Sequence, residues 1–204
     1  MAETRATIRA RVQRLVGTAI NTHINDAIKD RHKQIQRRHS FRFMEDTDEI
    51  PVSAGADTFD LPEDFKEERT SGHETTAGEW RRMGKIIKDG IGARDTTETG
   101  EPMRYRIWAG TGYIYPTAES AFTFDLEYYA WLDDIDDDEK TNDLLDELHK
   151  VIFYGVLADC FERLGNEKKA DYYEGKFLYA LEEAIDDDIY IAMAGQDLQM
   201  QIPG

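Results

Sequence analysis

The fold of this chain is clearest in residues 142–185, which read NDLLDELHKVIFYGVLADCFERLGNEKKADYYEGKFLYALEEAI. Apolar residues recur there every three or four positions, which is the spacing of one face of an α-helix. Asn142 suits the N-cap of a first helix, and Gly165 followed by Asn166 suits the end of that helix and the start of another. The short link predicts an antiparallel helical hairpin whose second helix runs through Ile185 toward Ala194.

The N-terminal segment repeats the helical spacing on a basic background. The first forty residues carry a net charge of +6, against −23 for the remainder. We predict one amphipathic helix from about residue 3 to 37, with apolar positions Ile8, Val12, Leu15, Val16, Ala19, Ile20, Ile24, Ala27 and Ile28. Its arginines suit either nucleic acid or an acidic protein surface, on the same hairpin or on a neighbouring subunit. The absence of interleaved aromatic residues favours the protein surface.

The middle of the chain changes to period two and gains turn residues. The clearest strand spans residues 121–131, where apolar residues alternate with polar ones from Phe122 to Ala130. The other predictions are strands at 41–43 and 58–61, a hairpin of 103–108 with 113–115, and a mobile loop near 84–102.

These patterns together predict an α+β fold that is mainly α. The expected architecture is a helical bundle formed by residues 1–40 and 132–194, with a small antiparallel β lobe inserted at 41–131. Residues 195–204 alternate weakly and end in Pro203-Gly204, which predicts an extended C-terminal tail.

The composition of the 204 residues excludes several classes of protein. The net charge of −17 would repel nucleic acid phosphates from the surface as a whole. No apolar run approaches roughly 18 residues, and the N-terminus has no apolar segment, so we expect a soluble protein with no membrane span and no secretory signal. The single cysteine, Cys160, has no partner for an intramolecular disulfide and is expected in the core.

No catalytic constellation is recognisable, so we expect a protein that is not an enzyme and needs neither cofactor nor metal. The serines lack a nucleophile-elbow context, residues 78–85 depart from a phosphate loop, and the histidines show no metalloprotease spacing. The acidic run 133–139 suits calcium or a solvated loop, and the lack of EF-hand glycine and glutamate favours the loop. Two alternatives stay open: a TPR-like helical adaptor between proteins and, less favoured, a metal-dependent enzyme of unfamiliar type.

The order of several short motifs resembles the head-to-tail adaptor (connector) proteins of tailed bacteriophages. Residues 57–65, DTFDLPEDF, are similar to a Leu-Pro turn of that family, and residues 113–116 with 124–129 are similar to its tyrosine-rich strand pair. The similarity continues through Leu132, residues 142–145, 153–158 and 170–173, Phe177 and residues 180–181. Residues 66–102 match nothing in the family pattern.

The resemblance implies a structural virion protein at the head-to-tail interface, assembled in the host cytoplasm. It implies a homo-oligomeric ring, usually of twelve subunits, that lies below the portal protein, extends the DNA channel and receives tail, nozzle or stopper proteins. Genomic DNA would pass an acidic wall without specific binding.

Two sets of residues are the candidate interaction sites. The apolar residues near the C-terminus are expected to bind the portal, and they are Ile189, Ile191, Met193, Leu198, Met200 and Ile202. The alternative is that the tail folds back on its own hairpin. Packing against subunits or partners is expected from Arg5, Arg9, Trp108, Tyr113 and Tyr115.

Overall fold

A computed structural model describes residues 3–74, 79–86 and 98–197 of the chain. It divides into two compact units. Unit 1 contains residues 1–44 and 132–204, and unit 2 contains residues 45–131.

Residues 3–44 and 132–197 of unit 1 form four α-helices and one short 3-10 helix. Their bounds are α1 Arg5–Val16, α2 Asn21–Arg38, the 3-10 helix Arg42–Met44, α3 Asp143–Arg163 and α4 Glu167–Asp197. Their apolar faces meet in one core, in which the side chains of Ile8, Ile24, Ile28, Leu144, Val156 and Phe177 are fully buried.

The prediction of one continuous N-terminal helix is wrong, because the chain breaks between α1 and α2. Gly17 has a φ of 84°, a left-handed conformation that a helix interior cannot contain and that glycine adopts without strain. The apolar spacing continues across the break because both helices pack on the same core. Hydrophobic periodicity therefore did not reveal the turn.

The helical hairpin follows the predicted cap residues. Asn142 Oδ1 accepts a hydrogen bond from the backbone N–H of Leu145, and Gly165 ends the first helix with a φ of 71°. The backbone N–H of Lys169 donates to Asn166 Oδ1 at the start of α4. These three predictions are confirmed.

Two predictions at the ends of unit 1 are wrong. Residues 42–44 form a 3-10 helix rather than a strand, because the backbone N–H of Met44 donates to the carbonyl of Phe41 and closes a turn. The extended tail predicted from Gly195 is also wrong for its first residues, since α4 continues to Asp197. Residues 198–204 lie outside the described part of the chain.

In the described part of unit 2, residues 45–74, 79–86 and 98–131, ten strands form three sheets. The strands are β1 Glu45–Val52, β2 Thr58–Asp60, β3 Phe65–Glu74, β4 Trp80–Arg82, β5 Gly84–Lys85, β6 Thr99–Gly100, β7 Arg104–Trp108, β8 Thr111–Tyr115, β9 Thr117–Ala118 and β10 Phe122–Ala130. The first sheet has the order β1-β10-β3-β4, the second β2-β8-β7-β5, and β6 pairs with β9. Residues 87–97 of the predicted mobile loop lie outside the described residues.

The fold class predicted from the sequence is wrong. Within the described residues, the structure has four α-helices and three sheets with ten strands, rather than a helical bundle that carries a small lobe. The prediction missed β1 and β3, the two strands that flank β10. Both are rich in charged residues, and five of the eight residues of β1 are not apolar, so neither strand has an apolar run that period-two spacing would detect.

The long strand and the hairpin of unit 2 were predicted correctly. Along β10, Phe124, Leu126, Tyr128 and Ala130 are buried in alternation with more exposed residues. Strands β7 and β8 pair through a two-residue turn at Ala109-Gly110, where both residues have positive φ, as a tight hairpin requires.

The Leu-Pro turn of residues 57–65 is tied to β10. Asp64 accepts a hydrogen bond from the Tyr128 hydroxyl at 3.0 Å, and its carbonyl accepts from the backbone N–H of Trp131. Burial raises the pKa of Tyr128, and the Asp64 carboxylate raises it further, so the phenol stays protonated and keeps donating.

Candidate interaction surfaces

The basic residues of α1 bind the acidic loop that precedes α3. Arg5 Nη2 lies 2.7 Å from Asp138 Oδ1, and Arg9 Nη2 lies 2.5 Å from Asp138 Oδ2. Hydrogen bonds from Arg9 and Arg5 lower the pKa of Asp138 to about 2. Of the two protein surfaces considered for these arginines, the structure places them on an acidic surface of the same unit.

Other carboxylates of the acidic run 133–139 also face cations. Asp134 pairs with Lys33 at 3.0 Å, and Asp136 pairs with Lys140 at 2.9 Å. Across residues 3–74, 79–86 and 98–197, no three His, Cys, Asp or Glu side chains come together as a metal site would require. Residues 133–139 therefore form a solvated loop whose carboxylates make ion pairs with basic residues of α1 and α2.

Arg31 connects three helices inside unit 1. Its guanidinium on α2 donates to Asp159 on α3 at 2.6 and 2.9 Å, and to Glu174 on α4 at 2.7 and 3.2 Å. Burial by itself would lower the pKa of Arg31, but the hydrogen bonds to the two carboxylates outweigh burial and raise it. The same guanidinium lies 4.6 Å from the centre of the Phe177 ring. Sequence spacing alone could not identify this cluster, because Arg31 is more than a hundred residues from either carboxylate.

Cys160 lies fully buried on α3, as predicted. Burial, with a smaller contribution from Asp159, raises the pKa of its thiol to about 12. A thiol with that pKa is almost entirely protonated at neutral pH, so Cys160 is not an activated nucleophile.

The C-terminal part of α4 exposes apolar side chains. Ile189 is 39% exposed, Ile191 47% and Met193 62%, and Tyr190 between them is also exposed. Just before this segment, Asp188 is anchored by His39 and Arg42 at 3.0 and 3.1 Å. Three of the six predicted portal-binding residues are therefore on an exposed helix end, and Leu198, Met200 and Ile202 lie outside the described residues.

A groove of about 610 Å³ lies beside this helix end. Its apolar lining comes from the side chains of Phe41, Phe43, Leu148, Ala184 and Ile191. Its polar lining comes from Arg42, Glu147, Asp187 and Asp188. The α3 backbone departs from helical geometry at Leu148, on the wall of the groove. Nothing in the sequence pattern pointed to this groove, since the Phe41–Phe43 segment was predicted as a strand.

The aromatic candidates of unit 2 lie on the β7–β8 hairpin. Trp108, at the end of β7, is mostly exposed and has the guanidinium of Arg106 over its ring. Tyr113 and Tyr115 lie on β8 and are half-buried. The hairpin therefore carries one exposed indole and two partly covered phenols.

In the described part of the chain, no helix is long and apolar enough to cross a membrane. A comparison with known families matches residues 3–198 to the family model described as SU10 adaptor protein. No curated protein matches the chain.

Proposed function

Because this chain belongs to the SU10 adaptor protein family of phage head-tail adaptors, we propose that it forms a ring below the portal protein, extends the DNA channel and connects the capsid to the tail. The chain is a bacteriophage structural protein and a component of the virion. Interaction with other virion proteins is the general activity of such an adaptor.

The observation that carries the proposal is the apolar end of α4. Residues 189–194 read Ile-Tyr-Ile-Ala-Met-Ala and are all exposed, although they lie in a helix. A helix that is apolar on every side is stable when it is surrounded by protein rather than when it lies on a flat surface. We therefore assign this segment, including Ile189, Ile191 and Met193, to insertion into the portal, and we assign Leu198, Met200 and Ile202 to the same contact from their apolar character in the sequence.

The charge of the chain suits a protein that lines a DNA channel. Its net charge is −17, and several of the arginines of residues 1–44 form ion pairs within unit 1. A wall of the same charge sign as DNA avoids strong phosphate contacts during passage. In this role DNA moves through the ring without specific binding.

The direct test is to mix the protein with the portal of the same phage and to measure the mass and the image of the complex. We expect many copies per portal, most simply twelve, arranged as a closed ring. The double variant Ile189→Asp with Met193→Asp places two charges on the inserted segment without altering the groove lining, and we expect portal affinity to fall at least about tenfold while the helix content stays unchanged.

Leu164→Asp is the matched control, because Leu164 is an equally exposed apolar residue in the turn between α3 and α4. It should leave portal binding unchanged. A complex with one copy or a two-fold dimer per portal would contradict the ring, and full portal affinity of the double variant would contradict insertion of α4.

A further inference from the structure

The joint between α1 and α2 carries an exposed apolar side chain next to a cation. Leu15 is 53% exposed and is the one large hydrophobic residue exposed within residues 3–44. Arg14 precedes it and is also exposed, as are Gly17, Thr18 and Ala19. We call Arg14 and Leu15 the knob. A partner that covers Leu15 would gain free energy by removing its side chain from water.

The groove described above has the complementary chemistry. Its apolar lining can bury an aliphatic side chain, while the exposed carboxylates of Glu147 and Asp187 can face a guanidinium beside it. Asp188 is already occupied by His39 and Arg42, so Glu147 and Asp187 are the carboxylates available to a partner.

The knob and the groove lie at opposite ends of α2. The knob lies in the last turn of α1, shortly before the N-terminus of α2 at Asn21, and Phe41–Phe43 of the groove follow the C-terminus of α2. Eighteen helical residues separate these ends by about 27 Å. A chain therefore cannot fill its own groove with its own knob. Different surfaces on one molecule that fit each other give head-to-tail contacts, which form a ring when the rotation between successive copies closes and a filament when it does not.

We propose that Leu15 of one copy of this chain inserts into the groove of the next copy, with Arg14 facing Glu147 and Asp187 of that copy. This contact deepens the proposed function and rests on it, because it names the surfaces that join neighbouring subunits of the ring. The occupant of the groove is a second copy of the same chain.

Disulfide crosslinking in the portal complex tests the contact. The variant Leu15→Cys with Ala184→Cys places one thiol on the knob and one in the groove, while native Cys160 is buried. Mild oxidation is expected to give a ladder of covalent oligomers. The control pair, Leu164→Cys with Ala184→Cys, is expected to stay monomeric on a denaturing gel. Crosslinking of Ala184→Cys to the portal instead would show that the groove holds a portal segment and would overturn the proposal.

Charge reversal gives an independent readout. Arg14→Glu and Asp187→Lys are each expected to lower the fraction of complete rings, and the double variant is expected to restore it, since the pair is then reversed.

Native mass spectrometry of the unaltered protein with the portal is measured first. If a ring forms but Leu15→Asp leaves it intact and no ladder appears, the knob contact is wrong and the proposed function stands. If no ring forms on the portal, the proposed function fails and this contact fails with it.

Discussion

Buried polar residues of α2 connect separate segments of unit 1 through hydrogen bonds. His32 on α2 is fully buried, and its Nε2 lies 2.8 Å from Nδ2 of Asn142, the residue that caps α3. Gln36, one turn along α2, accepts a hydrogen bond from the backbone N–H of Leu132. A neutral imidazole that accepts from Asn142 thus links α2 to the start of α3.

We expect the protein to lose stability as the pH falls, because His32 is buried in its neutral form. Burial lowers its pKa to about 4 from 6.5, so between these values the unfolded chain binds a proton that the folded chain does not. Stability from this group is complete above pH 6.5 and is lost as the pH falls toward 4. We expect a loss of about 2 kcal/mol in unfolding free energy between pH 7 and pH 5, measured by urea denaturation.

The variant His32→Asn should be less stable at pH 7 and should lose less stability on acidification than the unaltered protein. His149→Asn is the control, because the ring of His149 lies within hydrogen-bond distance of the backbone carbonyl of Asp146 in its own helix. An equal pH dependence for His32→Asn and the unaltered protein would show that another group is responsible.

At the scale of helices, Gly155 permits the close approach of α2, α3 and α4. A side-chain carbon at this position would lie 2.8 Å from Arg31 Cδ and 3.0 Å from the Phe177 ring. Arg31 cannot move aside without breaking its hydrogen bonds to Asp159 and Glu174. The cluster of Arg31, Asp159 and Glu174 can therefore form because position 155 of α3 has no side chain.

Gly155→Val should destabilise unit 1 by about 1–3 kcal/mol, because the added atoms overpack the helix crossing. Gly175→Val is the matched control, since Gly175 lies on α4 with nothing within 4 Å of the added carbon. The control should change the unfolding free energy by less than about 0.5 kcal/mol. Chemical denaturation of both variants compares them directly, and equal stabilities would contradict tight packing at Gly155.

The elements that sequence reasoning found are those whose pattern is local. Asn142, Gly165 and the alternation of β10 act through neighbours in sequence, so their signals survive without knowledge of the fold. Strands β1 and β3 were not predicted, because they form by pairing with β10, which is a long-range contact. In this pairing the acidic residue Asp48 lies opposite Leu126, so the sequence of β1 has no apolar pattern of its own. The exposed end of α4 was found from apolar composition alone. The groove was not, because it is assembled from three separate segments.

At the scale of the whole molecule, unit 2 begins and ends on neighbouring strands. Glu45 at the start of β1 is the register partner of Tyr129 near the end of β10, so the chain enters and leaves this unit at adjacent points. The helices of unit 1 pack on a core of their own. Both facts indicate that unit 2 is inserted into unit 1, and that a short link between residues 44 and 132 could replace it.

We expect a variant in which a short glycine-serine link joins Met44 to Leu132 to fold as a helical protein. Its circular dichroism should show a helical spectrum and a cooperative thermal transition, because the core of α1 to α4 is complete without residues 45–131. As a control, the same link in a Gly155→Val background should lower the transition temperature. A spectrum without helix, or a transition without cooperativity, would mean that unit 1 needs unit 2 in order to fold.

The long sequence separation between Arg5 and its partner Asp138 has a consequence for protein synthesis. These residues are 133 positions apart, and the backbone N–H of Glu3 likewise donates to Asp146. At about 5–20 residues per second, the ribosome needs roughly 7–27 s to make the chain between them. The nascent N-terminal helix therefore leaves the exit tunnel long before its partners exist, and all of β1 to β10 is translated in the interval. Chaperones that recognise basic, apolar segments have that interval in which to bind it.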